Sequence, residues 1–250
     1  MKIAIMFSGL TRIFKQTYKN YLRMLNGKDV DVYIHTWDIF SDFKNPNKGL
    51  DELKAMYKPT KIVMDNYESF SNIEWVNTYA KIYDDLKVNK DGWVHNSANM
   101  KTGLIVQHYG LKKVIELIED LNCYDVIIRS RFDFDSKSSI DWDDLYKETE
   151  NHLLVPAGKN NGLKGTKYSI CDLFAASRPK HMKKYCSLLD CLLDERYMQD
   201  IMLAKCNIPE YLLALHLIRD EVPFKQYQFK YTEFKNIKNR KKGERGTKNT

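Results

Sequence analysis

Apolar and polar positions along this chain follow two rhythms, and the switches between them predict its elements. Lys2–Phe7 (KIAIMF) is a short apolar run, as expected of a buried parallel strand. After SGLTR, the residues Ile13, Phe14, Tyr18, Tyr21, Leu22 and Leu25 recur at helical spacing. DVDVYIHT at 29–36 and TKIVMD at 60–65 predict two further strands, with a loop at NPNKG (45–49) and a short helix at 50–57 between them. Residues 66–97 show no decisive rhythm. The longest amphipathic stretch, 99–121, sets Ile105, Tyr109, Leu111, Val114, Ile115 and Ile118 on one side and leads into the strand YDVII at 124–128.

Strands alternating with helices through residue 135 predict an α/β fold with a mostly parallel sheet flanked by helices. In the second half, LLVP (153–156) and SICDLFAA (169–176) read as strands separated by the polar loop 157–168. One helix is expected over 179–197 and another from Pro209 through YLLALHLI, with proline in its first turn. VPFKQYQFKY closes the pattern as a half-exposed strand with Tyr227, Phe229 and Tyr231 alternating. Neither an internal repeat nor a linker interrupts the chain, so one domain is expected.

The 250 residues suffice for a substantial core. The net charge of +7 sits almost wholly in the tail 235–250, which holds seven Lys/Arg and one Glu. A near-neutral body with a basic tail argues against a specific nucleic-acid groove. The tail lacks apolar periodicity and reads as disordered; it is either merely solvated or in weak contact with an anionic membrane surface or nucleic acid. Five scattered cysteines without a CxxC pair fit a reducing compartment. With no signal peptide or apolar run of spanning length in the sequence, the expectation is a soluble, cytoplasmic protein.

The chemistry concentrates in IRSRFDFD at 128–135, where Arg129, Arg131, Asp133 and Asp135 follow an apolar strand. Open α/β sheets bind ligands beyond the carboxyl ends of their strands. Paired carboxylates suit a hard divalent cation, Mn2+ or Mg2+, and forked arginine donors match phosphate oxygens. Against this stands a plain surface salt-bridge cluster, since D-x-D alone is a loose pattern.

The run YDVIIRSRFDFD, together with IAIMFSGLTRIF at the start and DVDVYIHTWD after the first helix, resembles a group of small glycosyltransferases with the GT-A fold. These occur in bacterial surface-polysaccharide clusters and large DNA viruses. DLFA from Asp172 and PEYLL from Pro209 extend the resemblance over about residues 3–217. It implies a GT-A-like domain over 1–234, with 1–135 binding a nucleoside-diphosphate sugar and 136–234 an acceptor. It further implies a divalent metal at Asp133 and Asp135, and transfer of a sugar to a glycan or glycoprotein hydroxyl. Phe7, Ser8 and Gly9 would lie against base and ribose, and Arg12 would meet a phosphate.

Other residues keep two readings each. His35 either contacts donor or acceptor or caps its strand, and Trp37 either stacks on a ligand or fills the core. Asp38 equally caps the next turn. Gln107 and His108, inside the long helix, read as structural. Asp172, and after it Glu210, are the candidate general bases of an inverting reaction; Glu210 also suits an ordinary helix start. The loop 157–168 either closes over a donor or simply connects. Glycine-rich nucleotide loops of the dinucleotide and GxxxxGK(S/T) kinds are missing. A metal-dependent phosphoester hydrolase using the same acids is the enzymatic alternative, and a binding module acting through the tail the non-enzymatic one.

Overall fold

The computed structural model describes residues 1–11, 13–40, 43–77, 98–136, 138–156, 170–192, 194, 209–228 and 231–233. In chain order the elements are β1 (Ile3–Gly9), α1 (Phe14–Leu25), β2 (Asp31–Trp37), α2 (Pro46–Tyr57), β3 (Lys61–Asp65) and α3 (Tyr67–Ser71). There follow α4 (Ala98–Glu116), β4 (Val126–Ser130), β5 (Phe134–Ser136), α5 (Trp142–Glu148) and β6 (Leu153–Pro156). The last are β7 (Phe174–Ser177), α6 (Pro179–Cys186), α7 (Leu188–Leu192), α8 (Pro209–Arg219), β8 (Phe224–Tyr227) and β9 (Tyr231–Glu233).

Seven strands form one sheet in the order β3-β2-β1-β4-β7-β6-β8. The pairings β3-β2, β2-β1 and β1-β4 are parallel, β7 runs antiparallel to both β4 and β6, and β8 is parallel to β6. The predicted mostly parallel sheet flanked by helices is therefore present. β5 and β9 pair separately.

Alternate residues of each strand feed two cores. Ile3, Ile5, Phe7, Val126 and Ile128 face α1, α2 and α5, where Phe14, Tyr21, Met24, Leu53, Tyr57 and Leu145 pack. Ala4, Met6, Tyr33, Ile127 and Ala175 face the other way, under Leu111 and Val114 of α4, Met182 and Tyr185 of α6, and Leu212 and Leu213 of α8. Among the described residues no helix is long and apolar enough to cross a membrane.

Several boundaries depart from the expected ones. NPNKG is not a loop. Asn45 caps α2 by accepting from the Asn47 backbone N–H at 2.9 Å, and Pro46 opens the first turn, where its missing donor costs nothing. α4 stops at Glu116, short of the predicted 121. Beyond it Asp120 accepts from Asn122 N–H at 2.9 Å and holds a separate 3-10 turn. The expected helix over 179–197 divides at Ser187, whose hydroxyl donates to Lys184 O at 2.9 Å in place of continued helical bonding. The strand expected at 169–176 begins only at Phe174; Asp172 and Leu173 form a turn before it. VPFKQYQFKY divides between β8, in the main sheet, and β9, against β5. Helix α5, which no apolar rhythm announced, starts from Asp141, whose side chain accepts from Asp144 N–H at 3.1 Å. The loop 157–168, the tail 235–250 and most of the stretch 66–97 after Asn77 lie outside the described residues.

Candidate functional site

The segment after β4 is shaped from three sides. Arg131 N–H donates to Leu173 O at 3.0 Å, and Phe134 N–H returns to Arg131 O at 3.2 Å, closing a turn. From α1, Thr17 Oγ1 donates to Phe132 O and Asn20 Nδ2 to Asp135 Oδ1. Because β7 runs antiparallel with Ser130 opposite Phe174, its start lies at the edge where the parallel strands end. Asp172 thereby arrives beside Arg131.

Arg131 is the centre of the site. Its Nε and Nη2 donate to Asp133 Oδ1 and Oδ2 at 2.7 and 2.6 Å, and its Nη1 to Asp172 Oδ2 at 3.1 Å. Gln107 Nε2, from α4, donates to the same Asp172 oxygen at 2.7 Å. Burial alone would push the Asp172 carboxyl up; Arg131, Arg129 and the hydrogen bonds from Arg131 and Gln107 more than offset it and hold the group below the ordinary carboxylate range. A carboxylate so held is a weak base, and its geometry is that of a positioning residue for Arg131.

Behind this pair the sheet face becomes polar and closed. Arg129, opposite Met6 and Ala175, is fully buried, and its Nε and Nη1 have no hydrogen-bond partner among the described residues. His108 is likewise buried with both ring nitrogens unpartnered. Burial, with Arg129 and His216 adding to it against the pull of Asp172, pushes its imidazole down to about 3, so it is neutral. Tyr185 OH is a further buried group without a partner among the described residues.

A second polar cluster lies at the ends of β2 and β3. His35 is buried and donates from Nε2 to Asp65 Oδ2 at 3.0 Å, an oxygen that also accepts from Tyr109 OH at 3.1 Å. Burial lowers the His35 imidazole despite Asp65, so the neutral ring carries its proton on Nε2. Gly110 of α4 makes room for it, since a Cβ there would stand 3.1 Å from His35 Nδ1. Trp37 fills the core beside them, its ring 5.2 Å from His35 and 4.9 Å from Phe70.

The residues expected to touch a ligand are thus distributed unevenly. Asp133 keeps a side chain 20% exposed, and Arg131 one 28% exposed, at the carboxyl edge. Asp135 is turned into α1 and is 1% exposed. Phe7 is in the aromatic core, stacked on Phe132 at 5.1 Å. Ser8 is buried, and its hydroxyl has no partner among the described residues. Gly9, at φ +113°, holds a backbone conformation that side-chain-bearing residues rarely adopt, while a Cβ there would meet nothing within 4 Å. Arg12 lies outside the described residues. Glu210, half-buried in the first turn of α8, accepts from Ile170 N–H through its carbonyl at 3.3 Å. Asp38 accepts from Tyr67 N–H at 2.9 Å and anchors the start of α3.

Sequence reasoning missed Asp65, Tyr109, Asn20 and the inward aim of Gln107. Asp65 carried a usable signal, being an acid at the end of a parallel strand. The glycine at 110 in mid-helix was a second, marking close approach of α4 to the sheet.

The two aspartates of D-x-D do not converge. Among the described residues no group of three or more His, Cys, Asp or Glu is placed to hold a metal ion. Asp133 by itself remains chemically suited to a cation that takes one carboxylate and fills its shell with water and phosphate oxygens, a habit of Mg2+.

No family model matches the chain, and no curated protein matches it. Among solved structures, the apo form of mouse xyloside xylosyltransferase 1 aligns with 90% of this chain and 84% of its own, with a TM-score of 0.48 at 8% identity. The apo form of the glycosyltransferase GlyE from Streptococcus pneumoniae TIGR4 aligns with 90% of this chain and 45% of its own, with a TM-score of 0.41 at 10% identity.

Proposed function

We propose that the chain is a glycosyltransferase that moves a sugar from a nucleoside-diphosphate sugar, UDP-linked in the first instance, to a hydroxyl of a glycan or glycoprotein. The observation that carries this reading is the Arg131–Asp133–Asp172 constellation at the carboxyl edge of β1 and β4. A forked donor and an accessible carboxylate at that edge suit a diphosphate with its cation. Mn2+ or Mg2+ held at Asp133 would neutralise the departing diphosphate, which is Lewis-acid chemistry. Gly9 at the end of β1 offers backbone to the base and ribose, and the buried Phe7 and Asp135 support the edge from behind. Inversion at the sugar carbon calls for a base on the acceptor hydroxyl. The arginines around Asp172 lower its basicity, which shifts that role towards Glu210.

Calorimetric titration with UDP, GDP, CMP and dTDP in the presence of Mn2+ tests the reading. One base is expected to bind in the micromolar range and the others at least tenfold more weakly. If no nucleotide binds, the transferase reading fails, and assay of phosphoester hydrolysis follows.

A further inference from the structure

The acid proposed to hold a cation already carries one. Both oxygens of Asp133 accept from the fork of Arg131, at 2.7 and 2.6 Å, and the remaining Nη1 of that guanidinium reaches Asp172 at 3.1 Å. Paired charge-assisted bonds of this kind are among the strongest that side chains make. A divalent cation arriving alone must compete with that fork for Asp133 and stand beside the displaced guanidinium, a like charge at short range. A diphosphate arriving alone meets the opposite obstacle. The paired donors of Arg131 are already taken by Asp133, whose negative charge stands at the exposed edge, and the charge of Arg129 is sealed behind them where a phosphate cannot reach its donors. Arriving together, the two ligands meet neither obstacle. The cation takes Asp133, and the released fork finds in the phosphate oxygens a partner of the same geometry as the carboxylate it left.

We infer that Arg131 is an exchangeable counter-ion that holds Asp133 in the free protein and passes to the diphosphate when a divalent cation takes its place. Cation and nucleotide then bind with positive coupling, and Arg131 is the residue that couples them. Asp172 and Gln107 keep the guanidinium tethered during the exchange through Nη1. This rests on the nucleotide-sugar reading and adds to it the source of cooperativity between the two ligands.

The test is a calorimetric cycle on the full chain. Mn2+ alone, UDP or GDP alone, and each in the presence of the other are titrated into the wild type, Arg131→Gln and Arg131→Lys, with circular dichroism melts to show that each variant is folded. In the wild type, Mn2+ is expected to bind about tenfold or more tightly with nucleotide present, and the nucleotide to gain by the same factor. Arg131→Gln frees Asp133, so Mn2+ alone binds more tightly than to the wild type, while the nucleotide weakens about tenfold and the coupling falls to what direct contact between cation and phosphate supplies. Arg131→Lys, charged but without the fork, lies between. Wild-type coupling below about twofold, on the same scale, overturns the inference and leaves the transferase reading standing. So does an Arg131→Gln protein that binds Mn2+ no better than the wild type. If neither nucleotide binds under any condition, the donor reading is what fails, and the Mn2+-only titrations still decide whether Arg131 occupies the cation's place. Should Arg131→Gln not fold, Arg131→Lys decides in its place: a folded lysine variant that binds Mn2+ alone no better than the wild type overturns the inference equally.

Discussion

The two faces of the sheet are built from alternate residues of the same strands, yet they solve different problems. The face under α1, α2 and α5 is aromatic and apolar. Phe7 stacks on Phe132 and meets Tyr21 and Tyr57 edge-on at 5.3 and 5.1 Å. The face under α4, α6 and α8 starts apolar at Ala4 and Ile127, then turns polar at Arg129, His108 and Asp172. Burying an arginine with unpartnered nitrogens beside a neutral histidine is costly. Nothing about stability requires it, since the first face shows that this sheet can be covered by an aromatic and aliphatic core without a buried arginine. The contrast teaches that the polar face is organised around the edge where Arg131 and Asp133 reach solvent.

Three substitutions press on that division. The largest effect is expected from Asp172→Ala, which takes from Arg131 its partner at Nη1 and from the buried Arg129 a nearby negative charge, and removes about 3–5 kcal/mol in urea unfolding. The same variant loses nucleotide affinity. Leu53→Ala, on the apolar face, opens a cavity at a fully buried position and costs about 2–4 kcal/mol. Its nucleotide affinity stays within about twofold of the wild type by the usual independence of distant sites; a larger loss would break the proposed separation of faces. The smallest effect is a pH dependence. The His108 imidazole titrates near 6.5 in the unfolded chain and at about 3 in the folded one, so the unfolded state takes up a proton that the folded state refuses. Stability therefore falls as pH drops below about 6.5, and His108 accounts for about 1 kcal/mol of loss between about pH 7 and 5.5. His108→Leu should flatten that part of the profile, read as the difference between variant and wild type in urea titrations at both pH values.

Much of this could be read from the amino-acid order, for reasons that differ by region. β1, β2 and α1 were plain because each buries a continuous or periodic apolar set, and β3 because Ile62 and Met64 alternate as its half-buried positions. The start of α2 was hidden because Asn and Pro mark loops and helix starts alike, and only the capping bond to Asn47 distinguishes the two. The turn at Asp172 was hidden because an apolar run does not reveal where strand pairing begins. At the site, Asp133, Arg131 and Asp172 were singled out as charges next to buried strands. Which of them touch was not readable, because that depends on β7 being antiparallel. Asp135 was read with Asp133 for its spacing, but the pull of Asn20 from α1 takes it to the other side. Gln107 and His108 lie one residue apart on a helix whose apolar stripe is too weak to orient either.

The bonds that shape the segment after β4 join residues far apart in the chain: Thr17 with Phe132 and Asn20 with Asp135 across 115 positions, and Arg131 with Asp172 across 41. Closing such loops costs more chain entropy than closing short ones. A ribosome that has released residues 1–136 has delivered Arg131, Asp133 and the α1 contacts, but not the carboxylate that steadies the guanidinium. The proposed diphosphate site is then complete only once the second half has found its place.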